Sequence, residues 1–250
     1  MKIHHLNCLK IVTPVNDDVI GHCLLLEDPA GLALVDAGMG MLDAQQPQTR
    51  VGQTLIDLVG FRLDEDLAAY KQIGLLGFDP LLVKQAVISH LDPDHIGGLA
   101  DFSGMTIHVG AEELANFNSG NQRYLPHQLS HNPEIIAYKA GDEKWMGLEA
   151  REVKLGFSSR VYLVPLFGHT RGHCGVAIEQ GDRWVLYVGD AYYLRGELED
   201  PEHPVTALAT ARADDNDQRL ASLDKIRKLI KEHPEVEVFG YHDRSELKLS

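Results

Sequence analysis

Short apolar runs closed by glycine, proline or aspartate recur along the chain. Ile3–Val12, Ile20–Glu27 and Leu32–Asp36 read as strands. Between the last two, Asp28-Pro29-Ala30-Gly31 has the chemistry of a hairpin turn. Leu63–Leu76 carries Leu67, Tyr70, Lys71 and Gly74 at helical intervals, and Gly77-Phe78-Asp79-Pro80 breaks it. Val87-Ile88 ends a buried strand. Met105–Val109 follows as a strand, and Gly110–Phe117 as a short helix. Glu152–Val164 holds a strand pair, and Cys174–Glu179 with Trp184–Val188 forms another around Gln180-Gly181-Asp182. Asp215–Glu232 is the clearest amphipathic helix, with Leu220, Leu223, Ile226, Leu229 and Ile230 on one face. Val236–Phe239 is the last strand. Strands and helices so interleaved predict an α/β fold.

The polar residues that close these runs are unusual. Ser89-His90-Leu91-Asp92-Pro93-Asp94-His95-Ile96-Gly97-Gly98 places two imidazoles and two carboxylates within six positions. Such a cluster at the lip of an apolar strand is costly to bury unless something pairs it, and metal ions would pair all four groups. Gly97-Gly98 lets backbone approach closely. Pro165 to His173 is a second polar knot, with Gly168-His169-Thr170 at its centre. Gly189-Asp190 and Gly240-Tyr241-His242 end two further apolar runs. Residues at strand ends converge on one sheet edge even when far apart in sequence. Counted together, these ends supply four His and three Asp, enough for two metal ions. Asp36 is left between bracing this site and capping a turn, and His22 reads as a core or rim residue. His127 and His131, in the polar stretch 118–133, have no partner at a ligating spacing and read as solvent-exposed. The segment 39–76 offers Leu55, Leu58, Phe61 and Leu63 as a lid, as a pocket wall or as ordinary packing.

A chain of 250 residues with 44% hydrophobic content can bury a full core, and one domain over 1–250 is expected. The net charge of -14 disfavours nucleic acid and anionic membrane as partners and points to a small-molecule substrate. Cys8, Cys23 and Cys174 make no disulfide framework. The first residues lack the apolar run of a signal peptide, and no stretch reaches transmembrane length. A cytoplasmic protein is expected, with a homodimer left open.

In order, His90-x-Asp92-x-Asp94-His95, Gly168-His169-Thr170, Gly189-Asp190 and Gly240-Tyr241-His242 resemble the motifs of the metallo-beta-lactamase superfamily. The resemblance covers nearly the whole chain. It implies a four-layer alpha/beta-beta/alpha sandwich with the metals at one edge of two sheets. Carried over by position, His90, Asp92 and His169 would hold the first metal. Asp94, His95 and His242 would hold the second, with Asp190 bridging. His173 would stand behind them and fix His169. Within the superfamily the chain looks most like the N-acyl homoserine lactonases. The Ile3–Cys8 opening, the long segment before the metal motif and Asp190-Ala191-Tyr192-Tyr193 carry that likeness. Tyr193 matches a tyrosine that in those enzymes points at the substrate carbonyl.

That resemblance implies a lactonase whose metal-bridging hydroxide attacks the carbonyl, with Tyr193 donating to the oxyanion and Asp94 handling a proton. It would be a quorum-quenching activity. Zinc is the first expectation for the two divalent ions. One departure bears on that: the common motif has His where this chain has Asp92. Two divalent ions, three carboxylates and a hydroxide sum to about zero charge, one less than with His. The hydroxide should then be more basic, and iron or manganese more acceptable. No Lys or Arg cluster adjoins the motifs. Arg171 and Arg195 are the nearest cations in sequence, and each reads as a surface salt bridge. Thioester or beta-lactam hydrolysis on the same site is the alternative activity, and a non-catalytic metal-binding protein the alternative class.

Overall fold

The computed structural model describes residues 1–13 and 16–248. Its strands are β1 (Lys2–Ile11), β2 (Val19–Asp28), β3 (Gly31–Val35), β4 (Phe61–Arg62), β5 (Val83–Val87), β6 (Thr106–Gly110) and β7 (Glu134–Tyr138) in one sheet. A small hairpin, β8 (Lys144–Trp145) and β9 (Leu148–Glu149), follows. The second sheet holds β10 (Arg151–Glu152), β11 (Val161–Pro165), β12 (Cys174–Gln180), β13 (Arg183–Tyr187) and β14 (Glu237–Phe239). The first sheet has the order β4-β1-β2-β3-β5-β6-β7, and the second runs in chain order.

Side-chain alternation decides how the sheets stack. In the second sheet Val161, Leu163, Val176, Ile178, Val185 and Tyr187 face the first sheet and join one core with Leu24, Val35, Val87 and Ile107. The intervening Tyr162, Val164, Ala177 and Leu186 face the other way. There they meet Leu223, Ile226 and Leu229 from the predicted amphipathic helix, which spans Asn216–Glu232. Asp215 caps that helix by accepting from the Gln218 N–H at 3.0 Å. On the outer face of the first sheet lies a helix at Ala69–Leu75, packed through Ala69 and Ile73. Helix, sheet, sheet, helix is the expected four-layer sandwich.

Several elements differ from the sequence reading, among them the short strand β4, the β8–β9 hairpin and the helices between residues 41 and 59. The helix expected over 63–76 is split into a 3-10 turn, Glu65–Leu67, and the helix Ala69–Leu75. At Ala68 the backbone is extended, and the Gln72 amide fills the break by donating to Leu67 O at 2.6 Å and Asn7 O at 2.8 Å. The edge strand β7 was not expected. Its faces are mostly exposed, so it lacks the apolar alternation that marks a strand. The hairpin at 28–31 forms as predicted, with Asp28 paired to Gly31 and Asp28 Oδ1 accepting from Ala30 N–H at 3.0 Å.

Strand direction places the site. β3 and β5 are parallel, as are β13 and β14, and β11 runs with β13 because β12 is antiparallel to both. The C-terminal ends of these strands share one edge, where α/β sheets bind their ligands. Close backbone approach there demands glycine at two points. A Cβ on Gly98 would lie 2.3 Å from Ala37 O, and one on Gly168 (φ +127°) would lie 2.0 Å from Arg219 N. Gly168→Ala is therefore expected to push the long C-terminal helix away from the His169 loop and cost roughly 2–5 kcal/mol. Thermal unfolding of the variant checks this; an unchanged Tm would contradict the packing.

Candidate metal centre

The carboxylate of Asp36, in the left-handed region at φ +52° and fully buried, stands at the end of β3. It accepts from Ser89 N–H at 2.8 Å, Ser89 Oγ–H at 2.6 Å, Tyr187 O–H at 2.5 Å and the His95 ring at 2.8 Å. It thus ties the end of β5 to the second sheet and braces the site. Past Ser89 the chain runs extended to Asp92, then turns into a short helix, Pro93–Ile96, with proline at its first position. That turn brings Asp94 and His95 round to His90 and Asp92.

The structure brings His90, Asp92, Asp94, His95, His169, Asp190 and His242 together. His90, His169 and Asp190 offer donor atoms all within 4.8 Å of one another, and so do Asp94, His95 and His242. Asp190 lies between the two groups: His95 Nε2 is 3.3 Å from its Oδ1, His242 Nε2 is 3.3 Å from its Oδ2 and His169 Nε2 is 3.5 Å from its Oδ2. Three of the rings are oriented through Nδ1. That atom meets Ser89 Oγ at 3.0 Å in His90, Asp36 Oδ2 at 2.8 Å in His95 and Ile20 O at 2.9 Å in His242. Nε2 is then left to the centre. Among the described residues, His90 Nε2, His95 Nε2 and Asp190 Oδ1 are buried with no hydrogen-bond partner. Buried polar atoms so orphaned want a ligand, and imidazole with carboxylate is a donor set for two divalent cations.

The electrostatics agree. Burial, with His95 next to it, holds His90 well below its ordinary pKa. Burial also pulls His95 down, but Asp190 and Asp36 outweigh it and hold the ring well above the usual histidine range. Metal binding needs the neutral ring and would work against that shift. Burial raises the Asp94 carboxyl.

His173 stands behind the candidate ligands, its ring 5.9 Å from that of His169, but its hydrogen bonds differ from those expected. Its Nδ1–H donates to Leu166 O at 2.9 Å, and its Nε2 accepts from Asp190 N–H at 3.0 Å. Burial, together with His169, pushes its pKa down to about 3, so the ring is neutral and can accept that bond. It holds the backbone of Asp190; the His169 ring is not its hydrogen-bond partner. His169 Nδ1 has no hydrogen-bond partner among the described residues. Glu113 does the corresponding work for the His169 loop. It accepts from Leu91 N–H at 2.8 Å, Tyr124 O–H at 2.8 Å and Thr170 Oγ1–H at 2.5 Å, clamping the His90 and His169 loops together. Burial raises its pKa to about 7.

Arg123 was not anticipated. Its Nε and Nη2 donate to Asp92 Oδ1 and Oδ2 at 2.7 and 2.6 Å, a bidentate fork. Burial works against the Asp92 carboxylate, but Arg123 outweighs it and holds the pKa well below the ordinary range. Asp92 consequently makes no cap bond to the helix that follows it. The cation nearest the motifs in the fold is thus Arg123, not Arg171 or Arg195, and it changes the charge count: the guanidinium returns a positive charge beside Asp92. Arg123 lies in the irregular stretch 118–133, which carries no periodic signal. A buried carboxylate in a histidine's place was the one hint that a cation was needed. Arg195 pairs with Glu246 as expected, whereas Arg171 pairs with no carboxylate among the described residues. Neither His127 nor His131 joins the centre; His127 is exposed and His131 half-buried. His22 is a core residue bonded to His5 at 2.7 Å.

Tyr193 is half-buried between the two donor groups, its ring 5.7 Å from that of His169 and 5.3 Å from that of His242. Its N–H donates to Glu197 at 2.8 Å, and Glu197 is held in turn by buried Arg219 at 3.0 Å. Burial, then Asp190, raises its phenol pKa, so the hydroxyl stays a donor. A cavity of about 560 Å³ opens above it, walled by Leu55, Leu58, Val59 and Phe61 on one side and Val205 and Leu208 on the other. Segment 39–76 thus forms a cavity wall, though Leu63 packs outside it.

The metallo-beta-lactamase superfamily profile matches residues 16–241. A probable metallo-hydrolase of Mycobacterium bovis, Mb2322c, is 39% identical over 204 residues, 80% of this chain. The match spans 65% of that relative's own length. The N-acyl homoserine lactonase AttM of Agrobacterium fabrum is 38% identical over 82 residues, 33% of this chain and 31% of its own. Among solved structures, an N-acyl homoserine lactone hydrolase with N-hexanoyl-L-homoserine bound at its catalytic metal centre superposes with a TM-score of 0.72. That likeness covers 98% of this chain and 94% of that one at 23% identity, which establishes a common fold. Strand-end donors in this order, on this sandwich, under a profile that spans most of the sequence, mean that the chain belongs to the metallo-beta-lactamase superfamily.

Proposed function

We propose that the protein is a two-metal hydrolase that opens a lactone of the N-acyl homoserine lactone type. The observation that carries this reading is the juxtaposition of the two donor groups with Tyr193 and the apolar cavity. His90, Asp92 and His169 would hold one ion, Asp94, His95 and His242 the other, with Asp190 available to both. Bound divalent ions supply Lewis acidity toward a carbonyl and lower the pKa of water. Zinc suits this imidazole-rich set, and Arg123 offsets the charge that Asp92 adds; iron or manganese remain the harder-ion alternatives.

The chain's own residues supply the rest. Leu55, Leu58, Val59 and Phe61 pack an acyl chain and exclude water from the reacting end. Tyr193 donates to the carbonyl oxygen as negative charge develops there. A water oxygen bonds to the carbonyl carbon as the ring C–O bond breaks; Asp94 takes that water's proton and delivers it to the leaving alkoxide oxygen, giving the open hydroxy acid. His173 and Glu113 hold the loops that bear Asp190 and His169. An uncharged, partly apolar ester fits such a cavity in a protein of net charge -14. Three free, buried cysteines suit a reducing compartment and so a cytoplasmic place, and the proposed substrate class would make the activity quorum-quenching. No helix is long and apolar enough to cross a membrane among the described residues.

Protein purified with zinc is expected to carry close to two ions per chain, and His169→Ala to lose at least one, by elemental analysis. Two ions retained in that variant would remove His169 from the ligand set. On a panel of acylated homoserine lactones and simple gamma- and delta-lactones, Tyr193→Phe is expected to lower kcat about ten-fold with metal content intact. Unchanged turnover would exclude the hydroxyl from the reaction. A wild type inert on every lactone but active on thioesters or beta-lactams would replace the substrate class and leave the metal centre standing.

A further inference from the structure

Arg123 is bound more closely than a neighbour that merely steadies Asp92. Its side chain is 7% exposed, and its donors end on protein. Beyond the fork to Asp92, Nη1 donates to His169 O at 2.8 Å, Arg212 O at 3.1 Å and Asp214 Oδ1 at 3.0 Å. Asp214 is itself fixed by the Asn116 and Asn121 amides at 2.8 and 3.2 Å. Most telling is Nη2, which lies 3.1 Å from His169 Nε2 as well as 2.6 Å from Asp92 Oδ2. That ring nitrogen also faces Asp190, and that carboxylate oxygen also faces His90 Nε2 at 3.4 Å. A positive charge is therefore already seated on Asp92 and His169, two of the three side chains assigned to the first ion alone. The second group has no such tenant: among the described residues, neither Asp94 nor His242 pairs with Lys or Arg.

We infer that Arg123 is a resident cation that competes with the first metal ion for Asp92 and His169, so that the two metal sites fill unequally. The second site, Asp94, His95 and His242, fills first and tightly. The first fills only as Arg123 yields part of its hold. Two effects act in the same direction. A rigid guanidinium fork occupies both carboxylate oxygens. Its unit charge also repels a divalent ion at short range inside a low-dielectric site. The inference rests on the metal-centre reading above and is independent of the substrate.

Metal-stripped full-length protein titrated with zinc against a chromophoric chelator tests it, with calorimetry giving the stoichiometry. The wild type is expected to bind two zinc ions in steps separated by about ten-fold or more. Arg123→Gln removes the charge and the fork. It is expected to tighten the weaker step by about ten-fold and to leave the tighter one within about three-fold. Arg123→Lys keeps the charge but not the fork, and should tighten the weaker step by less. It also serves as the test if the Gln variant fails to fold in a thermal melt. His242→Ala should abolish the tight step and keep the weak one, which assigns them. Equal steps in the wild type, or a weaker step that loosens or stays put in both Arg123 variants, would overturn the inference. Arg123 would then orient Asp92 for the metal. No zinc bound by the wild type would overturn the metal centre as well, whereas lactone activity has no bearing on either result.

Discussion

The buried carboxylate of Asp36 is the contact on which the site depends. It is the one group that accepts from the β5 end, from the His95 ring and from Tyr187 in the opposite sheet. Two sheets packed face to face through apolar side chains are free to slide, because burial has no direction. Charge-assisted hydrogen bonds from three separate elements to one carboxylate remove that freedom. They set where His90 and His95 stand relative to Asp190 and His242, which arrive from the other sheet. A positive φ at Asp36 is the strain accepted for that placement.

From this anchor the centre is built outward in layers of hydrogen bonds. Ser89, Asp36 and the Ile20 carbonyl fix three imidazoles through Nδ1. His173 holds the Asp190 backbone, and Glu113 spans the His90 and His169 loops. The buried pair of Glu197 with Arg219 of the long C-terminal helix sets the loop that carries Tyr193. Each of these partners is buried, so each replaces hydration that the donor lost on folding. Three of the imidazoles and the Asp190 backbone are consequently held in place before any metal arrives.

Much of this was legible in the sequence, for a physical reason. Strand ends advertise themselves as apolar runs closed by polar residues, and the candidate ligands sit at such ends. The motif at 90–95, His169, Asp190 and His242 were therefore readable, as was the amphipathic helix 216–232. Legibility fails where placement is tertiary. Arg123 and Glu113 come from a loop and a helix with nothing local to mark them, and both work by reaching across to another loop. The break at Ala68 arises from Gln72 reaching a different strand. His173 was rightly set near the site, but its partner was misjudged, because a ring's hydrogen bond depends on backbone that sequence does not place. The charge argument built on Asp92 failed for the same cause: a count along the chain omits the cation that folding brings in.

The central claim is that the converging side chains hold two ions where the geometry puts them. Anomalous diffraction at the zinc edge, from crystals of protein purified with zinc, measures that directly. Two peaks are expected, one bounded by His90, His169 and Asp190 and one by Asp94, His95 and His242. Density at neither position, with the side chains ordered as described, would contradict it.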